Sequence, residues 1–81
     1  MTITTIHVRL RSWDARDVVA AATKISRYLP SNYGVTEVLP AADDGFLVIV
    51  QGYDNAGWTA EGYIVPRLAS GLYPATIMEE V

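Results

Sequence analysis

Residues 46–50 read Phe-Leu-Val-Ile-Val, five apolar side chains in succession. The run is short for a buried helix and rich in β-branched residues, so it reads as a strand whose two faces are both shielded from water. Such a strand belongs in the interior of a sheet rather than at its margin. The rest of the chain therefore has to supply flanking strands and something to cover them.

The neighbouring segments meet that demand. Residues 2–11 alternate, with Ile6, Val8 and Leu10 on one face and Thr5, His7, Arg9 and Arg11 on the other, the pattern of a half-buried strand. Ser12 or Asp14 can then cap a helix, and Asp17 sits in its first turn near the positive end of the dipole. Val18, Ala21 or Ala22, Ile25 and Leu29 recur at intervals of three and four, which turns Arg16, Lys24 and Arg27 to water. Pro30 and the run SNYG end the helix. YGVTEVL, 33–39, is a weaker strand closed by Pro40, and ADDG, 42–45, is a hairpin connection into GFLVIVQGY. LYPATIMEEV closes the chain as an edge strand, with Pro74 tolerated at its start.

Residues 54–71, DNAGWTAEGYIVPRLASG, are what remains to carry the chain back across the sheet. Asp54 or Asn55 can cap this segment, or Thr59 if DNAGW is a loop. Trp58, Ile64 or Val65, and Leu68 form the expected inward stripe, and Gly71 the expected C′ residue. Pro66 costs about 3 kcal/mol inside a regular helix, because it lacks a donor and crowds the carbonyl four residues back. That carbonyl belongs to Gly62, so the segment is expected to be a kinked helix, or two pieces joined near 62–66. Gly57 and Gly62 lack the spacing of a phosphate loop, and no lysine follows them.

Strand, helix, strand, strand, helix, strand is the split βαβ order of the ferredoxin-like fold. The expectation is one α+β domain over residues 1–81, with a four-stranded antiparallel sheet in the order 4-1-3-2 and two helices on one face.

Chemistry is sparse. The chain has no cysteine, which excludes disulfides, thiolate metal sites and a cysteine nucleophile. His7 is the only histidine and has no ligand partners at metal-binding spacing. Ser12, Ser26, Ser31 and Ser70 lack a nucleophile-elbow context, and Asp43, Asp44, Glu79 and Glu80 read as solvated surface. No cofactor and no catalytic residue is expected. A net charge of −3 and a pI near 4.8 argue against nucleic-acid or anionic-membrane partners. MTITTIHVRL lacks the apolar core of a signal peptide, and the longest apolar run is too short to span a bilayer, so a cytoplasmic location is expected.

Several resemblances bear on function. Val50-Gln51-Gly52 resembles part of the acylphosphatase signature, but at the wrong point of the chain and without the arginine of that family. RNA-recognition modules stack bases on aromatics of the central strands, where this chain offers His7, Arg9 and aliphatics. The glycine-containing turn of the amino-acid-binding ACT modules is RSWDA here. The phrase GYDNAGWTAEGYIVPRLASGL, residues 52–72, is similar to the tails of short actinobacterial phage proteins that carry no assigned activity. That resemblance implies a small accessory or host-targeting phage protein.

Two functions are carried forward. The first is a non-enzymatic protein-binding or assembly module that meets a protein partner, or a second copy of itself as a homodimer, through the sheet face opposite the helices. There Leu47 and Ile49 are expected to stand open beside His7 and Arg9. The second is a small-ligand or minor enzymatic site between Asn32 and Tyr33 on one loop and Asp54, Asn55 and Trp58 on another. Those loops are expected at one end of the sheet, away from Trp13. Aromatic plugs closing a small core are the plainer account of the tryptophans.

Overall fold

The computed structural model describes residues 3–10, 18–41 and 45–78. The expectations for Ser12, Trp13, Asp14, Asp17, Asp43, Asp44, Glu79 and Glu80 lie outside the described residues. The elements are β1 (Thr4–Leu10), α1 (Val18–Ser26), β2 (Tyr33–Pro40), β3 (Phe46–Gly52), a π turn (Ala60–Ile64) that runs into α2 (Val65–Ser70), and β4 (Ala75–Met78). The four strands form one sheet in the order β2-β3-β1-β4, with every neighbouring pair antiparallel. This is the ferredoxin-like arrangement, with the two strongest strand signals at its centre.

Alternation along the central pair sorts the two faces. Ile6 pairs with Val50, Val8 with Val48 and Leu10 with Phe46, and these residues join the core under the helices. His7 pairs with Ile49 and Arg9 with Leu47 on the opposite face. Ile6, Val8, Val48 and Val50 are fully buried, each worth about 1.5–3 kcal/mol relative to exposure. Ala21 and Ile25 of α1 meet them, as do Ala60, Ile64 and Leu68. The spacing of four keeps each helical set on one stripe. Trp58 does not belong to that stripe as expected. It precedes the helical segment, is 42% exposed, and leaves the inward place to Ala60.

Val35 and Val38 both pack against the core although they are three residues apart. In a regular strand that odd spacing would set them on opposite faces. A register shift between Val35 and Glu37 inserts Thr36 as an extra residue, so Val38 returns to the core opposite Val48. Glu37 and Leu39 are thereby turned to the open face.

Thr59 is the cap of the second helical segment, and its hydroxyl accepts from Gly62 N–H at 3.1 Å. The N–H groups of Tyr63 and Ile64 both reach the Thr59 carbonyl at 3.0 Å, and that of Val65 reaches Ala60. The turn is thus widened to i−5 bonding immediately before Pro66, which supplies no donor. Ile64 and Val65 keep right-handed helical dihedrals. The interruption expected between Gly62 and Pro66 therefore takes the form of a π turn, without a break in the chain's helical path.

The end of α2 corrects another expectation. Gly71 has φ −87°, and Leu72 takes the left-handed conformation, φ 67°. Leu72 N–H donates to Ala69 O at 3.0 Å and Tyr73 N–H to Leu68 O at 2.9 Å, the paired bonds of a Schellman motif with Leu72 at C′. Glycine at 71 instead makes room for the Tyr28 ring. A Cβ there would lie 2.6 Å from Cζ of Tyr28.

Candidate functional site

The topology brings the 32–33 and 53–60 segments together at one end of the sheet. Asn32, buried at 8% exposure, donates from Nδ2 to the carbonyl of Tyr53 at 2.7 Å and of Trp58 at 3.0 Å. The opposite amide orientation would set Oδ1 against two carbonyl oxygens, so the geometry fixes the flip. Tyr53 N–H returns a bond to Asn32 O at 3.2 Å. Gly52 makes this approach possible, since a Cβ there would come within 2.6 Å of Tyr33 Cγ and closer still to Asn32 O.

Tyr33 donates its phenolic hydrogen to Asp54 Oδ1 at 2.7 Å, and Ala60 N–H donates to the same oxygen at 2.8 Å. The phenol first and the amide second hold the Asp54 carboxyl below its ordinary value, against a smaller opposing effect of desolvation. Asn55 and Trp58 close a two-residue turn, with Trp58 N–H donating to Asn55 O at 2.9 Å and Asn55 N–H to Trp58 O at 3.3 Å. Gly57, at φ 83°, occupies the position of that turn that glycine favours. The Trp58 indole stands edge-on to Tyr63, ring centres 4.6 Å apart.

Asn32, Tyr33, Asp54, Asn55 and Trp58 are therefore neighbours, as the order of segments implies. Most of their polar atoms bond to one another or to the backbone, and the cluster fixes the loop. Two features lie outside this bonding: Oδ1 of Asn32, buried without a partner among the described residues, and the partly exposed indole of Trp58.

The open face of the sheet carries His7 and Arg9 on β1, Leu47 and Ile49 on β3, Glu37 and Leu39 on β2, and Thr76 and Met78 on β4. Ile49 does not stand open as expected. It is 7% exposed, because it lies on a central strand flanked by His7 on one side and Glu37 on the other. Leu47 is half-buried. The more open apolar side chains lie outward, Leu39 at 38% and Met78 at 39% exposure. A cavity of about 310 Å³ opens here, lined by His7, Arg9, Leu47, Pro74, Thr76 and Met78.

A second cavity, about 210 Å³, lies on the helix side and is lined by Lys24, Arg27, Tyr28, Arg67 and Tyr73. Sequence periodicity identifies Lys24 and Arg27 only as water-facing. Nothing local shows that Arg67, 40 residues further on, joins them.

Among the described residues, no group of three or more His, Cys, Asp or Glu is placed to hold a metal ion. No helix among the described residues is long and apolar enough to cross a membrane. Compared with family models, curated proteins and solved structures, the chain matches none of them.

Proposed function

We propose that the protein is a small non-enzymatic binding domain that assembles with a second copy of itself through the open face of its sheet. One observation carries this reading. The face sets Glu37 on β2 and His7 and Arg9 on β1, on either side of the Ile49 and Leu47 stripe of β3. Strand spacing makes that separation about 10 Å.

A two-fold rotation about an axis along β3 lays β2 of each copy over β1 of the other. Glu37, Ile49 and His7 share one cross-strand row, so the carboxylate of each copy meets the histidine of its partner, with Arg9 one row away. Leu39, in the row of Leu47 and Arg9, lies over the partner's arginine stem. The likeness of residues 52–72 to actinobacterial phage proteins is in keeping with an accessory assembly role in a host cytoplasm.

Light scattering across a concentration series tests the reading. The wild type should weigh twice its 8.9 kDa chain, and Leu39→Lys or Glu37→Arg should yield folded monomers. Joining Glu37→Arg with His7→Glu should restore the pair. A wild type that stays monomeric throughout the series removes the proposal.

The alternative is a small-ligand site between the 32–33 and 54–58 loops, and the unpartnered Asn32 Oδ1 favours it. Saturable quenching of Trp58 fluorescence by one member of a metabolite panel, lost in Asn32→Ala, would support that reading instead.

A further inference from the structure

The cavity on the helix side gathers an unusual share of the chain's positive charge. Lys24, Arg27 and Arg67 line it, three of only six lysines and arginines in a chain of net charge −3. No carboxylate lines the cavity among the described residues. None of the three cations forms an ion pair among those residues either. Like charges held around one cleft repel, and a counter-ion inside it relieves that repulsion.

The walls are ordered by contacts among their own side chains. The Arg67 guanidinium lies 5.8 Å from the centre of the Tyr28 ring, an arrangement that orients its planar donors. Tyr28 in turn stands edge-to-face with Tyr73, ring centres 5.6 Å apart, and Gly71 packs against its phenol. Two tyrosine side chains thus line the groove beside the three cations. At about 210 Å³, the space is several times the roughly 30 Å³ share of one water.

Lys24 and Arg67 also sit in the last turns of their helices, where a cation meets the negative end of the dipole. That accounts for each residue singly, but it does not require all three to converge on one cavity between two tyrosine rings. We propose that this groove is an anion site for a phosphoryl group, taken as free phosphate or as a small phosphate monoester. Guanidinium donors match phosphate oxygens in pairs.

The test titrates the protein with inorganic phosphate and with phenyl phosphate, against chloride at matched ionic strength, read by amide and arginine side-chain NMR and by thermal midpoint. Saturable one-to-one shifts at Arg27, Arg67 and Tyr73, with a higher midpoint, are expected. Arg67→Gln should weaken binding roughly tenfold, ~1.4 kcal/mol, read as a smaller phosphate-induced rise over its own midpoint in chloride. Tighter phenyl phosphate identifies an ester ligand, and tighter inorganic phosphate identifies the free ion. If Arg67→Gln does not fold, exposed Lys24→Gln carries the same test. Phosphate acting no more strongly than chloride, or equally on wild type and variant, overturns the site and leaves the cations to the helix dipoles. The Leu39→Lys variant, altered on the opposite face of the sheet, should bind phosphate like the wild type, so this outcome is separable from that of self-assembly.

Discussion

Tyr33 donates its phenolic hydrogen to Asp54 Oδ1 across 2.7 Å, joining the first residue of β2 to the loop after β3. The folded state thus favours the ionised carboxyl, which also accepts from Ala60. A group whose folded pKa is depressed stabilises the fold above its unfolded value, and that contribution is lost as pH falls through the folded one. Urea unfolding at a series of pH values should show the wild type more stable than Asp54→Asn at neutrality, with the gap closing in acid. Tyr33→Phe should cost about 0.5–1.5 kcal/mol at neutral pH. An equal gap at every pH would show that the carboxylate charge is not what matters.

At the end of α2, glycine and the left-handed conformation occupy adjacent positions. Leu72→Gly should stabilise by about 0.5–1 kcal/mol, since the 88% exposed leucine packs against little and holds an unfavourable φ. Gly71→Ala should destabilise by about 1–3 kcal/mol, because the added methyl meets the Tyr28 ring. Thermal unfolding of the two variants measures both effects, and their opposite signs are the diagnostic result.

Pro66 stands just past the widened turn. Pro66→Ala should change stability by less than about 1 kcal/mol, a regained hydrogen bond offsetting the freer unfolded chain. A gain near 3 kcal/mol would show instead that the proline is strained as in a helix interior.

Ile49→Lys should destabilise the monomer by about 3 kcal/mol or more, since it would introduce a charge at a site that is 7% exposed. Leu39→Lys, at 38% exposure, should leave the fold intact. Urea midpoints of the two separate sheet integrity from association. For the proposed interface, Leu39→Lys is the informative variant.

The strand order and the identity of the central pair are legible in the sequence because Ile6, Val8 and Leu10 alternate while residues 46–50 do not. The meeting of Asn32 with Trp58 is legible for the same reason, since segment order alone brings their loops to one end. What escapes a local reading depends on partners distant in the chain. Ile49 is covered by flanking strands, Tyr28 packs close against Gly71, and Val38 faces inward only because β3 fixes the register across Thr36. The expectation for Trp58 fails because Asn32 and Asp54 tie its loop into a turn before the helix begins.

The bulge at Thr36 has a consequence for how copies of this protein meet in concentrated solution. It interrupts the regular ladder on one outer strand, which also carries Glu37 and closes with Pro40. The described part of the other outer strand is four residues, Ala75–Met78, behind Pro74. The β2 margin is a poor template for an incoming strand. Open-ended growth by strand addition is thereby disfavoured along β2.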